Sequence, residues 1–235
     1  MNEPNPETHE NPSHVGLEAL LITLTFSTDK AIPDTVRSID LGEIGLTAEE
    51  MLDRSLADPQ GRERIRTVEV DYVRRLSIDS EDTIGTRTLA QPRPFRYQLL
   101  STGQPDRHYA MEFHTHGPNN LPFSPDDVIG LFRPRNDIIS PVSVLAITPE
   151  RKMLGFRGHS TPEWDSQRRT KMRERWIHEI LDQIQRKTKP GMTRDQLDGI
   201  AGVVEHRFLR FLREHFDIQL FSCPAEENIA YRESA

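Results

Sequence analysis

The stretch that decides the reading is Met111-Glu112-Phe113-His114-Thr115-His116-Gly117-Pro118-Asn119-Asn120-Leu121-Pro122-Phe123-Ser124-Pro125-Asp126-Asp127. Residues 108–114 carry the alternation of a strand, and strand side chains point to opposite faces in turn, so His114 and His116 share a side. Their imidazoles can converge on one cation at about 2.0–2.1 Å. Ser124-Pro125-Asp126-Asp127 predicts a helix start, with Ser124 as N-cap, Pro125 at the first helical position and Asp127 at the third. The intervening residues, 117–123, are enough to fold that helix start back over the strand end. Asp127 then becomes the third ligand of a His₂Asp site with one open position, as a hydrolytic zinc centre requires. Taken singly, each piece has a plainer explanation. H-x-H recurs by chance, and Ser-x-x-Asp before an apolar run is already a capping box.

Working outward, residues 17–26 (LEALLITLTF) read as a buried strand or the start of one. Residues 47–57 predict a helix capped by Thr47, with Met51, Leu52 and Leu56 on one face. The run 64–76 fits either period, and its β-branched and aromatic content favours a strand. Three short β-like runs follow at 83–89, 95–101 and 108–114, the last two joined by a TGQPD turn. Residues 124–132 predict a short helix stopped by Pro134, and 143–148 and 153–157 two strands joined by PERK. Two charged helices, 162–187 and 193–215, precede an apolar run at 218–221. The expected class is α/β (α+β), a mixed β-sheet flanked by helices.

Composition bounds the chemistry. The chain has 235 residues, 35% of them hydrophobic, one cysteine, nine histidines and a net charge of −7. A single cysteine, Cys223, excludes an internal disulfide framework and a thiolate-built zinc site, and it reads as a small packed residue. The negative charge does not suit a whole-surface nucleic-acid binder. The basic run Arg168, Arg169, Lys171, Arg173, Arg175 is interleaved with acids, as solvated helix faces usually are. Residues 1–16, with three prolines, three glutamates and no cation, read as a disordered leader on a cytoplasmic protein. No run is long and apolar enough to span a membrane. The expected layout is a leader 1–16, a metal-binding domain 17–160, a helical extension 161–222 packed on it, and a tail 223–235.

In this order and spacing, the motif resembles that of the JAB/MPN (JAMM) domain metalloproteases, bacterial or archaeal type. Their pattern is a distant upstream Glu, then His-Ser/Thr-His, seven residues, Ser, two residues and Asp. Here His114-Thr115-His116, residues 117–123, Ser124 and Asp127 fit without a gap. The resemblance covers about residues 47–160. It departs where the family has proline directly after the second histidine, since Gly117 stands there and Pro118 follows. The resemblance implies a cytidine-deaminase-like JAB/MPN architecture. It implies that His114, His116 and Asp127 bind Zn²⁺, with a water acidified at the fourth position. Ser124 would donate to the oxyanion, and the upstream glutamate would move the proton.

Three glutamates are candidates for that base. Glu81 opens a β-run with small residues and best echoes the family's pattern, at 33 residues before His114. Glu69 lies 45 residues upstream and Glu63 lies 51. The functional expectation is a zinc-dependent metallopeptidase or isopeptidase cleaving amide bonds of protein or peptide substrates, ubiquitin-like conjugates included. The alternatives are a non-catalytic MPN-type scaffold that docks protein partners and, supported only by the arginine-rich helices, a nucleic-acid-processing protein.

Overall fold

A computed structural model describes residues 13–85, 94–117 and 123–233. The first half of the chain forms β1 (Ser13–Gly16), α1 (Leu17–Phe26), β2 (Val36–Asp40), α2 (Gly42–Leu56), β3 (Arg64–Asp71), β4 (Leu76–Ile78), β5 (Thr83–Ile84) and β6 (Arg107–Thr115). The second half forms α3 (Pro125–Val128), β7 (Ser143–Ile147), β8 (Arg151–Arg157), α4 (Ser166–Lys187), α5 (Arg194–Phe216), β9 (Ile218–Pro224) and β10 (Ile229–Arg232). The strands make one mixed sheet in the order β1-β2-β10-β9-β8-β7-β6-β3-β4, with β5 paired to β3. The pairs β1–β2 and β6–β7 are parallel, and the others are antiparallel. This is the expected mixed sheet flanked by helices. No helix among the described residues is long and apolar enough to cross a membrane.

Strand alternation divides the core into two layers. Met111, Phe113, Leu145, Ile147, Leu154, Phe156 and Phe221 pack against α1 and α2. Val144, Ala146, Met153, Ile218 and Leu220 point the other way, beneath Trp176 of α4 and Phe208, Leu212 and Phe216 of α5. β7 is buried at every position, as a strand sandwiched on both faces must be. Cys223 belongs to the first layer, where burial pushes its thiol pKa up to about 11.

Several expectations need correction. Residues 17–26 are a helix, because Leu17, Leu20, Leu21 and Leu24 recur at helical spacing and all face the core. α2 begins five residues before Thr47, where the Asp40 carboxylate accepts from the Gly42 N–H at 3.0 Å and turns the chain. Within 95–101 only the bridge Leu99↔Pro105 forms, around a turn whose Gly103 has φ +78. The expected run 83–89 is a strand at Thr83–Ile84, and its remainder past 85 lies outside the described residues. Residues 13–16, expected in the leader, pair with β2, and residues 1–12 lie outside the described residues. The expected tail likewise contains β10, which lies between β2 and β9. Residues 13–16 and 229–232 are therefore built into the sheet rather than appended to it.

The parallel β6–β7 pair forces the chain from 116 to 142 to leave the sheet and return across one face. That crossover is tied down by buried cations. Arg157 is fully buried; it donates to Arg133 O at 2.9 Å, to Gly130 O at 3.4 Å and to the Ser140 hydroxyl. Lys30 Nζ donates to Asp137 O at 3.2 Å and Ser140 O at 3.5 Å. Arg135 in turn donates to the carbonyls of Asp29, Gly158, His159 and Thr161. Burial pulls the Lys30 pKa down to about 8, and the Arg157 charge adds to the effect.

Two outcomes follow from these cations. Arg157→Met strands the carbonyls it serves, so it should lower unfolding free energy by about 2–4 kcal/mol, read by chemical denaturation. For Lys30, the folded protein releases a proton above about pH 8 that the unfolded lysine holds to 10.5. The unfolded state then binds more protons, so stability relative to Lys30→Met should rise between about pH 8 and 10. Parallel melts of the two proteins across that range test the sign.

Candidate metal centre

β6 delivers the histidines. His114 and His116 emerge on the face of the sheet opposite Met111 and Phe113, and both are buried. The crossover then returns Ser124-Pro125-Asp126-Asp127 as the first turn of α3, where Ser124 and Asp127 form the expected reciprocal capping box. The Ser124 N–H donates to Asp127 Oδ2. On the far side of α3, Arg173 of α4 grips Asp126 with a two-pronged guanidinium contact, its Nη2 at 3.0 Å from Oδ2. One helix therefore anchors the neighbour of the ligand while the capping box orients the ligand itself.

The three side chains meet. His114 Nε2 lies 3.1 Å from Asp127 Oδ1, and His116 Nε2 lies 3.6 Å from Asp127 Oδ2. A donor atom from each of the three lies within 4.8 Å of the other two. Donors about 2.05 Å from a tetrahedral zinc stand about 3.3 Å apart, so these separations fit that ion. Both ring nitrogens of His114 are buried, and the Asp127 carboxylate, 3.1 Å from Nε2, is the charged group that faces them. Buried polar nitrogens are normally satisfied, and a cation held among the three side chains would satisfy one from each imidazole. Two imidazoles and one carboxylate are a donor set that zinc accepts.

The electrostatics agree. Burial pulls the His114 pKa down, but the Asp127 carboxylate, with Glu112 and Glu63 behind it, more than offsets this and lifts it to about 9. Burial works against the Asp127 charge too, yet His114 and His116 hold its carboxyl far below the usual range. The pocket is built for positive charge.

The three candidate glutamates separate clearly. Glu81, first choice from the sequence, sits on an exposed turn between β4 and β5, where its N–H donates to Asp79 Oδ1 at 3.2 Å. Glu69 pairs with Arg107 at 3.1 Å, towards the other end of β3 from the histidines. Glu63 is buried, and its charge acts on His114. The β3–β6 register explains why. Ile65 opposes His114, and two more residues along the same register set Glu63 opposite His116. In an antiparallel pair the start of one strand meets the end of the other, so the residue just before β3 lies beside the H-x-H. Distance along the chain carried no such information; pairing 64–71 with 107–115 would have.

The sheet face around the site holds two further polar residues. Opposite Val68–Glu69, β6 carries an extra residue at Ala110, a bulge that turns Tyr109 towards Glu112. The Tyr109 hydroxyl donates to Glu112 Oε2 at 2.9 Å, and burial holds the Glu112 carboxyl above its ordinary pKa. A separate cavity of ≈ 410 Å³ lies towards the other end of the β3–β6 pair, lined by Thr67, Glu69, Phe95, Arg107 and Tyr109 among others.

Comparison of the chain with protein-family models, with curated proteins and with solved structures finds no match. The geometry therefore stands on its own test. Purified protein should carry or take up one zinc per chain, and His114→Ala and Asp127→Ala should each abolish stoichiometric binding in elemental analysis after dialysis. Wild-type protein that takes up no zinc would refute the centre.

Proposed function

We propose that the chain is a zinc-dependent amide hydrolase of JAB/MPN (JAMM) type, acting as a metallopeptidase or isopeptidase on protein or peptide substrates. The observation that carries this reading is the convergence of His114, His116 and Asp127 at near-tetrahedral donor spacing, with a buried glutamate on the same face. The element order supports it as well. A strand begins beside a glutamate, an antiparallel neighbour ends in H-x-H, a capped helix start brings the aspartate, and a parallel strand follows. The linear order of glutamate, H-x-H, serine and aspartate is the part of this that the JAB/MPN resemblance leads one to expect.

In this reading His114, His116 and Asp127 hold the ion. Bound zinc supplies a Lewis acid and lowers the pKa of water towards neutrality. Glu63 accepts the proton of the attacking water and returns it to the leaving amine, a role that suits a carboxylate held out of bulk solvent. The Ser124 oxygen accepts within its capping box, which leaves its hydroxyl hydrogen free to donate to the oxyanion. Ubiquitin-like conjugates are the substrate class we put first, nucleic acid is not among the partners, and the setting is cytoplasmic, in keeping with one buried free thiol.

The test is turnover of a ubiquitin-like domain ending in a fluorogenic coumarin amide. Cleavage should stop with chelator and return with zinc. Glu63→Gln should lower kcat by about 10²–10⁴-fold with zinc retained, while Glu81→Gln stays near wild type. The reverse ranking would restore Glu81 as the base. Zinc binding without any turnover would favour the scaffold reading.

A further inference from the structure

The residue between the two histidines has no part in the chemistry above, yet it is fully buried and points away from the ion. Thr115 lies on the same face of β6 as Met111 and Phe113, opposite the imidazoles. Its Oγ1 accepts a hydrogen bond of 2.9 Å from the backbone N–H of Arg64. Arg64 directly follows Glu63 and opens β3. The bond therefore joins the residue between the two ligands to the residue beside the glutamate.

We propose that Thr115 is a positioning residue, whose hydroxyl holds Glu63 in register with the histidine pair. On its other side the end of β6 is fixed to β7 by the His116 N–H donating to Ile147 O at 2.8 Å. The start of β3 is held by Ser55 Oγ donating to Arg62 O at 2.7 Å and by the Gly85 N–H donating to Glu63 O at 2.9 Å. The Arg64 and Arg66 side chains extend to Asp82, at 2.9 and 2.6 Å, on the face away from the ion. These contacts locate β3 against α2 and β5. The β3–β6 ladder runs as far as Ile65 opposite His114, and the Thr115 bond extends it by one residue, to the N–H next to Glu63. A serine or threonine is needed there because valine fills the same space but offers no acceptor.

The inference rests on the hydrolase reading with Glu63 as base, and the experiment separates the two. Thr115→Val and Thr115→Ser are compared with wild type for zinc content, for kcat and KM on the coumarin-amide substrate, and for exchange of the Arg64 amide hydrogen. Thr115→Val should keep one zinc and an unchanged KM, lose about 10- to 100-fold in kcat, and exchange the Arg64 amide faster. Thr115→Ser should behave as wild type in all four. Wild-type kcat in Thr115→Val, unaltered exchange at Arg64, or zinc lost in step with activity would each overturn the positioning role. An active wild type matched by Thr115→Val removes this inference alone, whereas an inactive wild type removes the hydrolase reading and this inference with it.

Discussion

The parallel pairing of β6 with β7 is the constraint on which the rest of the structure depends. Two parallel neighbours cannot be joined by a tight turn, so the chain must cross a face of the sheet between them. Here that crossing brings Asp127 to the end of the strand that carries His114 and His116. It also runs backbone carbonyls into the interior, where each needs a donor. Arg157 meets this need with a guanidinium that serves Arg133 O, Gly130 O and Ser140 at once. Burial lowers its pKa to about 10, which is the electrostatic cost of placing such a group inside. Around the crossover the ring stack of Phe132 on Trp164, at 4.6 Å, and the edge contacts of Trp176 and Phe216 complete the packing.

The candidate metal centre is thus assembled from elements that each have another task. Asp127 closes the capping box of α3 and faces two imidazoles with the same carboxylate. Thr115 spaces the ligands along β6 and receives the first N–H of β3. Asp126, beside the ligand, anchors α3 to the long helix α4 through Arg173. The C-terminal helices are for this reason a supporting layer of the site, although no residue of theirs belongs to the ligand set.

The convergence of His114, His116 and Asp127 was legible in the sequence because they lie within 14 residues and obey two local rules, alternation in a strand and capping at a helix start. Glu63 was not, because its place depends on which strand pairs with which and in what register. Glu81 had the more suggestive neighbourhood, and neighbourhood says nothing about pairing. The same limit applied to the termini. β1 and β10 are four residues each, too short for a period to declare itself, and they become strands only because β2 and β9 offer them edges. Leu17–Phe26 was misread for a different reason. A short run with few polar residues shows no clear face, and its helical state emerges from burying Leu17, Leu20, Leu21 and Leu24 against the sheet.

By itself the sequence determined the class of the fold, the strand with its H-x-H, the capped turn that presents Asp127, and the nitrogen-and-oxygen character of any metal site. These are short-range matters, set by side-chain periodicity, by cap chemistry and by a chain with a single cysteine. Only the tertiary structure decided which glutamate lies beside the two histidines, how β1 and β10 enter one sheet, and what holds the crossover over the strand ends. Those outcomes depend on long-range pairing and on buried donors finding carbonyls, and no local spacing encodes them.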